Sequence, residues 1–195
     1  INMIRDPRDI LISQKFKWRR RYLGASLIPI KEVIRAWVNY HPIMISLLWK
    51  ASIKQYDQFK NHSKIKLIRF EKFLENPKEG LRELTDFLGI EYNEDMLQIP
   101  QVGSSLNADS RKWGINKKRK NAWESNNRIN NTEIFFCEKK CGELMESYGY
   151  RCSNRKPNFF VLIYYYFTFF LKLPLVVLLN IKNIKQLTNK TKKFF

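Results

Sequence analysis

The chain has 195 residues, of which 44% are apolar and 28% charged, which is enough to bury a core without disulfides and excludes a wholly disordered chain. Seven Gly and seven Pro exclude a collagen-like or linker-dominated architecture. Thirty-six Lys and Arg against 18 Asp and Glu leave a net charge of +18, which calls for an anionic partner: phosphate groups, nucleic acid or an anionic membrane surface.

The three cysteines, Cys137, Cys141 and Cys152, are odd in number and match no zinc spacing, so neither a disulfide framework nor a metal is expected. Cys137 and Cys141 stand four apart, as two core positions on one helix face do. The chain opens at Ile1 with no signal-peptide pattern, and Asn2-Met3-Ile4 reads as the end of a buried strand already in progress. The expectation is therefore the C-terminal part of a longer protein.

Asn2 to Arg5 is predicted to leave a strand. Asp6 then supplies a helix N-cap, with Pro7 at the first helical position. Lys15 to Arg21 holds five basic residues in seven; a solvated helix face and a contact with acceptor or membrane are both open readings. From Lys31 to Phe59 apolar residues recur at helical spacing, and Pro42 divides the stretch into two helices.

Lys64 to Phe70 is a second strand candidate. Asn76-Pro77-Lys78-Glu79 starts a helix with cap, proline and carboxylate, and Gly89 ends it. Gln98 to Asn131 is polar, basic and aperiodic and reads as a long loop carrying Arg111, Lys112, Lys117, Lys118, Arg119, Lys120 and Arg128. Thr132 to Tyr148 returns to helix, stopped by Gly149.

Arg5-Asp6-Pro7-Arg8-Asp9, with Ser13 eight residues after Arg5, carries the most chemistry. A guanidinium at the carboxyl end of a parallel strand, a helix N-terminus and a hydroxyl two turns on suit a phosphate dianion. An ordinary capped helix with a surface arginine fits the local pattern equally well.

Four segments in order resemble the C-terminal half of the sulfotransferases that use 3′-phosphoadenosine 5′-phosphosulfate (PAPS). They are Asn2 to Ser13; Leu67-Ile68-Arg69-Phe70-Glu71 with Asn76-Pro77; Asp86-Phe87-Leu88-Gly89-Ile90; and Ser104-Ser105, the basic loop, Trp123 and Met145 to Tyr150. The resemblance covers roughly residues 1 to 151 and implies a partial α/β, P-loop-NTPase-like fold, helix-rich with few parallel strands. It implies that Arg5 and Ser13 hold the 3′-phosphate and that Phe70 lies near the adenine, where the family has Tyr. Arg111 and Lys112 would add a second basic contact, and the basic loop would fold over the nucleotide as a lid.

The family's 5′-phosphosulfate loop is absent from these 195 residues, and so is a Walker-type loop. No catalytic base can be assigned: His41 and His62, the two histidines, read as packing or surface residues. The chain is thus expected to hold half of a site, inactive alone, for sulfuryl transfer from PAPS to a hydroxyl or amine acceptor of unknown identity. No metal is implied.

Residues 152 to 195 form a second unit. Phe159 to Ile181 is nearly all apolar, long enough to span a bilayer but interrupted by Lys172 and Pro174. A lysine-rich tail follows, with no acidic residue after Glu146. A helix lying on an anionic membrane accommodates these features, and a packed core helix is the other reading. The expected location is cytoplasmic, peripheral at a membrane. The alternative function is a non-catalytic basic protein that binds nucleic acid or anionic membrane by charge. The motif order speaks against it, and no nucleic-acid partner is expected.

Overall fold

A computed structural model of the chain describes residues 1–23, 27–99, 113–116, 119–125 and 127–191, without the side chains of Leu23 and of residues 182–191. Two short strands, β1 (Asn2–Ile4) and β2 (Leu67–Arg69), pair in parallel with Asn2 opposite Leu67 and Ile4 opposite Arg69. The second strand is shorter than the Lys64 to Phe70 expected. Phe70 already starts a helix, and Lys64 to Lys66 lie outside the strand.

The helices are α1 (Pro7–Lys15), α2 (Ile30–Asn39), α3 (Pro42–Phe59), α4 (Phe70–Glu75), α5 (Pro77–Leu88), α6 (Ala122–Ser125), α7 (Asn131–Ser147) and α8 (Phe159–Thr191), with 3-10 turns at Lys17–Leu23 and Glu94–Leu97. The crossover between the parallel strands therefore runs through α1, α2 and α3. Pro42 divides the helical stretch as expected, and His41 is extended between α2 and α3.

The core lies between β1, α1, α3 and α7, built from Ile4, Leu11, Ile12, Trp49, Ile53, Ile134, Cys137, Cys141 and Met145. Cys137 and Cys141 are both buried and unpaired, and the Cys141 thiol donates to the Ser46 carbonyl at 3.2 Å. Helix α7 opens with a capping box, in which Asn130 Oδ1 accepts from Glu133 N–H and Glu133 Oε2 accepts from Asn130 N–H.

Three expectations change. Asn76 precedes α5, but its side chain makes no capping bond; its carbonyl accepts from Gly80 N–H. The stretch read as a loop contains α6, whose Trp123 is buried. Lys15 to Arg21 is not a solvated helix face: α1 ends at Lys15 and a 3-10 turn carries Lys17 to Arg21. Lys15 pairs with the buried Glu133 at 2.8 Å, and the Arg19 guanidinium lies 4.9 Å from the Phe16 ring centroid.

Candidate anion-binding site

Asp6 caps α1 through Oδ1, which accepts from Arg8 N–H at 2.9 Å. Pro7 suits the first helical position because its missing N–H would have had no partner there. Capping places the Arg5 and Arg8 side chains at the carboxyl edge of the sheet, and they play different parts.

Arg8 is buried. Its Nε and Nη2 donate to Asp6 at 3.0 and 2.7 Å, and its Nη1 donates to Glu138 Oε1 at 2.8 Å and to the Arg151 carbonyl at 3.0 Å. Its guanidinium lies 3.6 Å from the Trp123 ring centroid. Burial works against its charge, but the hydrogen bonds and charges of Asp6 and Glu138 outweigh that and raise its pKa. Glu138 also accepts from Ser153 N–H, Ser153 Oγ and Asn154 N–H.

The same network reaches α4, where Glu71 accepts from Asp6 N–H at 2.8 Å and from the Tyr150 hydroxyl at 2.9 Å. A cavity of about 310 Å³ beside it is lined by Arg69, Glu71, Lys72, Glu75, Lys120 and Tyr150 among others, so its cations and carboxylates face one another. Lys120 closes one side by pairing with Glu75. This part of the motif is a structural knot joining β1, α4, α6 and α7.

Arg5 is partly open, with its side chain 22% exposed. Its Nη2 donates to the Arg119 carbonyl at 2.9 Å and to Asp9 Oδ2 at 3.3 Å, and its guanidinium lies 4.6 Å from the Phe70 ring centroid. Its backbone carbonyl accepts from Trp49 Nε1–H at 3.0 Å. The buried Nε of Arg5 and that of Arg20 have no hydrogen-bond acceptor among the described residues.

Arg119 is pushed below the usual arginine range by burial first, then by the charges of Arg5 and Arg20. Arg5 and Arg20 thus both lie close enough to Arg119 for their charges to bear on it, and each has a buried Nε without an acceptor among the described residues. Cations so placed suit a dianion.

Asp9 stands beside Arg5. Oδ1 accepts from Trp123 N–H at 2.9 Å, while Oδ2 faces Arg5. Burial pushes its pKa up to about 6 despite Arg5. Ser13, half-buried, lies one turn beyond Asp9 on the same face of α1.

Of the residues expected from the sequence, the structure brings Arg5 and Phe70 into contact and sets Ser13 on the adjoining helix. Arg111 and Lys112, and most of the expected lid, lie outside the described residues. Arg20 stands in the basic run from Lys15 to Arg21 and Arg119 in the expected lid, but nothing in the sequence pairs either with Arg5. Proximity between residues 5, 20 and 119 depends on the 3-10 turn after α1 and on the approach of the segment before α6. Neither leaves a spacing signal.

His41 is buried, its Nε2–H donating to the Tyr165 carbonyl at 3.0 Å, and burial lowers its pKa to about 4. That fits packing. Among the described residues no group of three His, Cys, Asp or Glu converges as a metal ligand set.

The family model of the sulfotransferase domain matches residues 1–143. The chain belongs to the sulfotransferase domain family. The match spans both strands, the Arg5–Ser13 motif, α4, α5 and most of α7. It brings sulfuryl transfer as the reaction class and a P-loop-like fold, of which this chain shows a helix-rich part with a two-stranded parallel sheet. The family generally uses PAPS as donor. Comparison with curated proteins and with solved structures gives no match.

Proposed function

We propose that this chain provides the 3′-phosphate half of a PAPS site in a sulfotransferase that transfers a sulfuryl group to a hydroxyl or amine acceptor. The observation that carries the reading is Arg5 at the carboxyl end of β1, its buried Nε–H lacking an acceptor among the described residues as does that of Arg20, with both charges bearing on Arg119. In this reading Arg5 and Ser13 hold the 3′-phosphate and Arg20 and Arg119 add charge. Phe70 carries the adenine side of the site while stacking on Arg5, and Arg111 and Lys112 contribute from the basic loop.

In the transfer the bond between sulfur and the bridging oxygen of the donor breaks as the acceptor oxygen or nitrogen bonds to sulfur in line. The acceptor proton leaves, and 3′,5′-adenosine bisphosphate departs with the electron pair. The part assigned to this chain is positioning and charge neutralisation. The buried, unpaired thiols Cys137 and Cys141 support a cytoplasmic, reducing location.

The test is calorimetric titration of the chain with 3′,5′-adenosine bisphosphate and with adenosine 5′-monophosphate. The bisphosphate should bind more tightly. Arg5→Ala should weaken it by roughly 2–4 kcal/mol and Ser13→Ala by about 1–2 kcal/mol, while leaving the monophosphate nearly unaffected. Equal weakening of both nucleotides, or of neither, refutes the assignment.

A further inference from the structure

Helix α8 contains a stretch, Phe159–Ile181, that is long and apolar enough to cross a membrane by length and composition, with mean hydropathy 1.9, and none of that window is buried. Its polar and apolar groups are nevertheless sharply divided between two sides, and the division decides how such a helix meets lipid.

One side is tied to the folded domain. The Tyr165 carbonyl accepts from His41 Nε2–H at 3.0 Å, and Lys172 Nζ donates to the Tyr40 carbonyl at 3.0 Å. Asn180 Nδ2 donates to Asn39 Oδ1 at 2.9 Å, and the rings of Phe169 and His41 lie 5.4 Å apart. Lys172 Nζ also sits 4.8 Å from the Trp37 ring centroid. Residues 165, 169, 172 and 180 fall on one helical stripe, so the charge and amide of this segment are satisfied by residues 37–41.

The opposite stripe, with Phe160, Tyr164, Phe167, Phe170, Leu171 and Leu178, is exposed, Phe160 and Phe170 by 79% and 70%. On α2, Ile30, Ile34 and Trp37, one helical stripe, are exposed as well.

We infer that α8 lies in the plane of an anionic bilayer as a one-sided insertion helix, its exposed stripe in the acyl region and its polar stripe held by the protein. Spanning would demand that Lys172 and Asn180 exchange partners already in hand for hydrocarbon, which is costly. Charge favours lipid as the occupant. Arg155 and Lys156 precede the helix; Lys182, Lys185, Lys190, Lys192 and Lys193 follow the apolar stretch; and no acidic residue occurs after Glu146. Cations before and after an apolar segment in the chain match anionic headgroups over acyl chains. The inference stands on α8 and α2 and is independent of the nucleotide site.

The test is co-sedimentation of the full chain with phosphatidylcholine vesicles and with mixed phosphatidylcholine–phosphatidylglycerol vesicles. Wild type should prefer the mixed vesicles and should be released by alkaline carbonate. Combined Phe167→Glu, Leu171→Glu and Leu178→Glu should weaken binding by about a hundredfold or more, with unchanged circular dichroism. Lys172→Met should lower the thermal midpoint and retain binding.

As a readout that does not need the triple variant to fold, Phe170→Trp should add quenching by brominated lipid beyond that of the five native tryptophans of the wild-type chain, and Phe169→Trp should add none. Resistance to carbonate, undiminished binding of the triple variant, equal quenching at the two positions, or a dimer that ignores vesicles would overturn the inference.

Discussion

Replacing Arg8 tests whether the Arg-Asp-Pro-Arg-Asp motif divides its labour as the structure indicates. Arg8→Ala removes four side-chain hydrogen bonds, three of them to carboxylates. It also removes the stack on Trp123. Charge-assisted bonds are each worth roughly 1.5–3 kcal/mol, but they are not additive. The larger consequence is that Asp6 and Glu138, both buried, lose their common cation. Breaking a buried pair by removing one partner costs about 3–5 kcal/mol.

We expect a loss near the middle of that range, about 4 kcal/mol, against a total stability of about 5–15 kcal/mol for a domain. Equilibrium urea denaturation at neutral pH, read as a shift in midpoint at constant m-value, measures it. Arg8→Lys keeps the charge but loses the fork and should fall between wild type and Arg8→Ala. Arg5→Ala, acting at a partly open side chain, should cost less than about 1 kcal/mol in the same assay. A loss below about 1 kcal/mol for Arg8→Ala, or equal losses at Arg5 and Arg8, refutes the division.

Gly149 has φ of 77°, and a Cβ there would stand 2.9 Å from an Arg69 guanidinium nitrogen, so Gly149→Ala should destabilise the fold by about 1–2 kcal/mol or more, measured by denaturation. Asp9, raised to about 6, lets the folded state bind the extra proton between about pH 4 and 6, so its share of stability falls as pH rises through that window. His41, lowered to about 4, leaves the extra proton to the unfolded chain, so its share grows from about pH 4 to 6.5. The two oppose each other. Asp9→Asn should therefore make stability climb more steeply with pH across that range, and an unchanged profile would contradict the burial of Asp9. Arg20→Ala should weaken 3′,5′-adenosine bisphosphate binding and flatten its salt dependence, shown by titrations at two ionic strengths, without lowering the urea midpoint.

Much of this protein is local and therefore legible from residue order. Asp6-Pro7 starts a helix because a carboxylate can accept an orphan N–H and proline has none to lose. Gly89 and Gly149 end helices because only glycine enters the left-handed region freely. Pro42 parts α2 from α3, and the four-residue spacing of Cys137 and Cys141 puts both in the core. The motif order was equally readable and agrees with the family match over residues 1–143.

What tertiary structure alone decided are meetings between residues far apart in the chain. Arg5 and Arg8 are chemically identical and three residues apart. Helix α1 turns Arg8 toward Glu138 in a buried network and leaves Arg5 with Phe70, Asp9, the Arg119 carbonyl and one buried Nε without an acceptor among the described residues. Periodicity could not tell the two roles apart, because the difference lies in which distant carboxylates arrive. The same holds for α8. Its hydropathy reads as a candidate membrane span, yet the partners of Lys172 and Asn180 sit at Tyr40 and Asn39. Only packing against the end of α2 shows which stripe of that helix already has its polar groups satisfied and which remains bare.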